Sequence, residues 1–280
     1  MPRPFAHPLS ILVAFALSGF GAIAQEAKAV PLQPHRVAYE VTLDPARSGG
    51  AFQSARGLMV LEFTGNACDG FATNFRQVTE LVGVDGDRRA LDFRVNLWEE
   101  GDGKRLRFTM RNAVNNAVTR DADGEATRRS DGSVSVVMRQ PRGQKSDFDG
   151  NVLFPTMMTN AIIRAAQDGK RSHEVRLFDG SESGQKAYDV VAVIGAPMEG
   201  ERNQRLEAPL KGNGLDGVTR WPITLSYFED GIGDRTPAYR MKSVTFANGV
   251  MGSIVFEFPE FSLAARAVKY EALPGEACRK

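Results

Sequence analysis

FPTMMTNAIIRAAQDG, residues 154–169, is the one stretch of this chain with the spacing of a well-formed helix. Pro155 suits a first helical turn, where its missing N–H would have no partner anyway. Thr156, Thr159 and Asn160 are weaker helix formers, but Met158, Ala161, Ile162 and Ala165 then fall on one face, which Ile163 and Ala166 widen. Asp168-Gly169 supplies a left-handed stop. On either side the chain reads as strand after strand. The expected fold is mainly β, an antiparallel sheet curved around one helix over residues 155–168. The apolar stripe of that helix packs on the concave face.

Residues 35–43 place Val37, Tyr39, Val41 and Leu43 on one side, the alternation of a strand with one buried face. Residues 57–63, 71–82, 88–98 and 104–111 read the same way. A weak strand is expected near 114–119, a turn at Asp123-Gly124 and a strand over 134–139. After the helix, strands are expected over 174–178, 186–198, 221–229, 238–246, 253–258 and 261–270, with Asn248-Gly249 as a hairpin turn. Pro222 argues that its strand either begins there or lies at an edge. Residues 200–217 read as an irregular polar loop, and no fixed-period repeat suggests a propeller or solenoid.

Residues 1–24 have the make-up of a cleaved export signal. Arg3 precedes an apolar run from Leu9 to Phe20, and Ala22-Ile23-Ala24 forms a small-x-small site before Gln25. That run is too short to span a bilayer. A polar, proline-bearing lead-in follows over 25–34. Cleavage would leave 256 residues with 34 basic and 34 acidic groups. Such neutrality gives no electrostatic reason to expect nucleic acid or strong attachment to anionic lipid. No other segment approaches membrane-span length, so a soluble exported protein is expected. Its two cysteines, Cys68 and Cys278, are most simply one disulfide in an oxidising compartment. Two free thiols or a partial metal site are the alternatives, the latter short of ligands with only His35 and His173 beyond the signal.

Several strings imitate active sites. Residues 212–217 satisfy G-x-G-x-x-G, but a strand-like Trp-Pro segment follows where a dinucleotide site needs a helix. Ser183-Gly-Gln-Lys186 satisfies S-x-x-K, yet it lies between strands without the companion motifs of penicillin-recognising enzymes. Residues 121–125 cluster acids in what reads as a solvated turn, short of a calcium loop. Glu99-Glu100, Glu80 with Asp85, and Glu257 with Glu260 could serve glycan hydrolysis in principle. His35 and His173 read as capping or carboxylate-paired residues. None of these amounts to a catalytic constellation, so no catalytic residue, metal or cofactor is assigned.

Taken together, HRVAYEVTL, GLMVLEFTGNACDGFATNF, WEEGDGK, the 154–169 helix, LFDGSESGQKAYDVVAVIG, WPITLSYF and Cys278 resemble, in this order, the periplasmic cell-envelope integrity proteins of the EipB type. The resemblance covers the whole chain beyond the signal. It implies one domain over 35–280, a spiral, incompletely closed antiparallel β-sheet similar to that of periplasmic lipoprotein carriers. It also implies a Cys68–Cys278 disulfide and a non-enzymatic role in maintaining the envelope. Inward-facing Leu91, Phe93, Phe108, Met158 and Ile162 are candidates for an apolar groove. A lipid or acyl ligand, or a periplasmic protein such as a repeat-type scaffold, is the candidate partner. An envelope hydrolase using Ser183 and Lys186 or a carboxylate pair, and a ligand-sensing module, are the alternatives.

Overall fold

The computed structural model describes residues 30–44, 50–199, 206–229, 236–275 and 278. The export signal over 1–24 lies outside them. Eight strands run in chain order, each antiparallel to the last: β1 (His35–Leu43), β2 (Phe52–Asn66), β3 (Gly70–Gly83), β4 (Arg88–Glu99), β5 (Arg105–Val114), β6 (Ala117–Arg128), β7 (Val134–Gln140) and β8 (Lys145–Phe148). β9 (Val152–Leu153) and the helix α1 (Pro155–Gln167) follow. The chain then continues through β10 (Ser172–Leu177), β11 (Tyr188–Ile194), β12 (Arg220–Glu229), β13 (Tyr239–Phe246), β14 (Met251–Glu257) and β15 (Ser262–Ala272).

β15 pairs back onto β1, which joins both halves into one sheet whose ends are β8 and β9. These ends are consecutive in the chain, yet no ladder links them, so the barrel-like sheet keeps one unsealed seam. Among the described residues the only parallel pair is β9 with β10, two residues long. In β1 the alternation works as its sequence requires. Val37, Tyr39 and Val41 are buried, while Arg36 on the outer face binds Glu62 and, at 3.2 Å, Glu271 of the flanking strands.

α1 lies against the concave face. Met158, Ile162, Ala165 and Ala166 pack on Leu177, Val190, Ile223 and Leu225 of β10–β12. Burial of side chains the size of Met158 or Ile162 contributes roughly 1.5–3 kcal/mol each by transfer from water. The helix stops where Gly169 takes φ +73° and Lys170 N–H reaches Ala165 O at 2.9 Å. A second cluster, around Leu106, Phe108 and Val136, fills the space under β5–β8, and a third, around Tyr39, Met59 and Ile254, fills that under β1–β3 and β13–β15.

Two expectations change. Asp123-Gly124 is not a turn: β6 runs through it, and the hairpin bends at Asn115-Asn116, both with positive φ. Gly124 is there because a Cβ would come 2.6 Å from Phe108 Cζ and 2.8 Å from Met138 Sδ. The acids of residues 121–125 therefore lie on a strand, with Asp123 bound to Arg139 at 2.6 Å and Glu125 to Arg107 at 3.0 Å. Residues 206–217 are not wholly polar surface, because Leu206, Leu210 and Leu215 are buried in the β1–β3 cluster. Of the two places expected for Pro222, the structure shows the strand start: it is third in β12, which lies between β11 and β13.

Candidate ligand-binding site

α1 begins without a local cap, since Phe154 occupies the N-cap position and offers no side-chain acceptor. Glu99, at the end of β4, takes that role from a distance. Its Oε2 accepts Thr156 N–H at 2.7 Å and its Oε1 accepts Met157 N–H at 3.1 Å. Two N–H groups that helix geometry leaves unpaired are thus satisfied. Glu99 is only 3 % exposed, and burial pushes its carboxyl up to about 7 against the opposing pull of the two N–H groups. Arg128 stacks 5.0 Å above Phe154 and reaches Met157 Sδ at 3.4 Å, closing the same corner.

Beside this helix start lies a cavity of about 170 Å³. Leu32, Leu61, Phe63, Leu97 and Met251 make its apolar walls, and Pro155, Thr156 and Thr159 bring α1 to it. Residues 30–34 lie across it, held by Gln33 N–H to Asn248 O at 2.9 Å and Gln33 Nε2 to Leu273 O at 3.0 Å. His35, with Thr73, Thr156, Thr159 and Asn248, supplies the cavity's polar lining. Its Nδ1 donates to Gln33 O at 2.6 Å, and burial lowers its pKa, so the ring is neutral with Nε2 left as an acceptor.

A larger cavity, about 790 Å³, opens on the opposite flank of α1. There the short β9 leaves residues 172–175 of β10 without a strand neighbour on that side. Met157, Asn160, Ala161 and Arg164 face it from the helix, and His173, Val175, Val190 and Phe228 from the sheet.

Residues singled out from sequence are dispersed. Met158 and Ile162 are buried against β10–β12; Phe108 is buried edge-on to Phe178 at 5.6 Å between ring centres. Phe93 packs beside Phe108's cluster and Leu91 beside that of Tyr39. None of the five lines either cavity. Ser183 sits in a 3₁₀ turn (Glu182–Gly184) with φ 56°, and Lys186 binds Glu229 at 2.9 Å. Gly212 N–H is taken by Asp216 Oδ2 at 2.7 Å. Glu80 pairs with Arg88, and Glu257 with Lys242. His35 is held by a backbone carbonyl, not by a carboxylate. Glu99 was legible in one respect: a helix that starts Phe-Pro-Thr with no Ser, Asp or Asn before it needs an acceptor from elsewhere.

Cys68, in the β2–β3 turn, is joined to Cys278 with Cα atoms 5.6 Å apart. The profile of the EipB-like family matches residues 26–274.

The chain belongs to the EipB-like family.

Within it, the chain is 31 % identical over 259 residues to the cell envelope integrity protein EipB of Brucella abortus, covering 92 % of this chain and 90 % of that one. A crystal structure of a β-barrel-like protein of a domain of unknown function, also from Brucella abortus, matches with a TM-score of 0.78 and 30 % identity. That match covers 88 % of this chain and all of the other. The spiral sheet expected of EipB-like proteins is the one found here, with α1 inside its curve.

Proposed function

We propose that this chain supports the cell envelope from the periplasm as a non-enzymatic binding protein, and that the cavity beside the start of α1 receives the apolar end of its ligand. The size and lining of that cavity carry the reading. About 170 Å³, walled mainly by Leu, Phe and Met side chains, matches in size the apolar cavities of ~150 Å³ that take benzene. It suits the terminal carbons of an acyl chain or one aromatic ring, not a whole lipid.

Similarity to a protein named for envelope integrity supports the setting. An export-type leader and a disulfide joining Cys68 to Cys278 support an oxidising compartment. Lys186 held by Glu229, away from hydrolase duty, supports a binding role over the acyl-enzyme alternative. Thr73→Phe would place a ring in the cavity from β3. Native mass spectrometry of protein taken from the envelope should show added ligand mass on the parent chain, and calorimetric titration with 1-octanol should show binding by the parent that Thr73→Phe loses. A parent chain that carries no added mass, or octanol binding that the variant retains, overturns the reading.

A further inference from the structure

The cavity on the other flank of α1 has a different chemistry. Asn160 and Arg164 are one helical turn apart and both line it. Asn160 Oδ1 and Arg164 Nε are buried from solvent yet have no hydrogen-bond partner. Neither side chain makes an ion pair or side-chain hydrogen bond among the described residues. Both residues line the cavity and are half-buried, so their remaining polar atoms are available to a ligand there.

The surroundings narrow what that molecule is. Arg164 offers a guanidinium, which matches a carboxylate or phosphodiester in a two-pronged geometry. Met157, Ala161, Val175, Val190 and Phe228 supply apolar wall beside it. Glu174 and Asp189 are exposed at the cavity and Asp102, also lining it, is bound to Lys104 at 2.6 Å. Arg176, which also lines the cavity, adds a second guanidinium to set against these carboxylates. About 790 Å³ falls within the 300–1,000 Å³ usual for small-molecule sites.

We propose that this second cavity binds an anionic amphiphile, its anionic group on Arg164 and Asn160 and its apolar body along Met157, Val175 and Phe228. The shared chemistry is an anionic group on a hydrocarbon, which a free fatty acid and a phosphodiester lipid headgroup both provide. This site does not depend on the apolar cavity at the start of α1, so either assignment can fail alone.

Calorimetric titration of the disulfide-bonded protein with octanoate, 1-octanol, inorganic phosphate and dihexanoyl-phosphatidylglycerol, all below micelle formation, tests it. At least one of the two anionic amphiphiles should bind the parent chain and lose tenfold or more in affinity with Arg164→Gln. Octanol should be held equally by both proteins, and inorganic phosphate should not bind. Loss confined to octanoate identifies a carboxylate ligand, and loss confined to the phospholipid a headgroup. Thr73→Phe should leave the Arg164-dependent part of the anionic titrations unchanged. Since Arg164 has no side-chain partner among the described residues, Arg164→Gln should melt within a degree or two of the parent; Asn160→Leu serves as an independent second variant with the same expected loss. Absence of binding by both anionic amphiphiles, or affinities unaltered in both variants, overturns the proposal.

Discussion

Glu99 Oε2 accepts the backbone N–H of Thr156 at 2.7 Å, across 57 residues of chain, and so ties the end of β4 to the start of the only α-helix among the described residues. A cap of this kind does what a local Ser or Asp usually does, but it also fixes where the helix sits within the curved sheet. Glu99→Ala would leave two N–H groups unpaired in a buried corner. A loss of roughly 2–4 kcal/mol is expected, from caps and unsatisfied donors of this type. Urea unfolding of the variant at pH 7 measures it.

The same carboxyl sets a pH dependence. Its ordinary value is 4.5 and burial pushes it up to about 7. The folded protein therefore holds a proton that the unfolded chain has released, and this contribution to stability is full below about pH 4.5 and lost as pH rises through about 7. A difference of that size corresponds to about 3 kcal/mol. Glu99→Gln should abolish this part of the decline, seen as a smaller fall in unfolding free energy between pH 5 and pH 8 than in the parent.

His35 acts with the opposite sign. Burial lowers its pKa below 6.5, so the folded protein binds fewer protons than the unfolded chain in that range. Its contribution is present above pH 6.5 and is lost as pH falls. Between pH 5 and 7 the two groups oppose each other and flatten the parent's profile. His35→Gln should steepen the decline with rising pH, and Glu99→Gln should instead leave stability rising with pH. Matching slopes in both variants would contradict the assignment.

Gly124 tests whether the core is packed as tightly as its geometry implies. An added Cβ meets Phe108 Cζ at 2.6 Å and Met138 Sδ at 2.8 Å, and Phe108 is itself pressed against Phe178. Overpacking of this sort costs roughly 1–3 kcal/mol. Gly124→Ala should lose stability by that order, and Phe108→Leu should restore part of it. The double variant would then be more stable than the two single losses added together.

How far these features could be read beforehand depends on the range of the interaction behind them. α1 was legible because Met158, Ile162 and Ala165 repeat at helical spacing and Gly169 ends it, both local signals. β1 was legible from the alternation of Val37, Tyr39 and Val41. Gly124 misled because glycine after aspartate signals a turn, whereas here it answers to Phe108 and Met138 on neighbouring strands. Leu206, Leu210 and Leu215 escaped notice since no periodic element carries them into the core. The cavities were hidden for a similar reason. Leu32, Leu61, Leu97 and Met251 meet only when β1 closes on β15, and Asn160 and Arg164 stand out only once their neighbours are seen to offer no partner.

The Cys68–Cys278 disulfide leads to the last prediction. It spans 210 residues, and the chain-entropy account gives at most about 5 kcal/mol for so long a loop. β15 is already paired along β1, so reduction should leave the sheet assembled. The local effect follows from close contacts. A Cβ on Gly101 would lie 1.8 Å from Ala67 O, next to Cys68, and one on Gly103 would lie 2.2 Å from Met157 Sδ. The disulfide-bearing turn thus bears on the β4–β5 turn, and that turn on the first turn of α1. Reduction, or Cys68→Ala with Cys278→Ala, should lower the urea midpoint and speed amide exchange at Thr156 and Met157 severalfold. Exchange along β11–β13 should change only by the global loss of stability. Equal acceleration at all these amides would show that the disulfide acts on the unfolded chain alone and that no strain path reaches the helix.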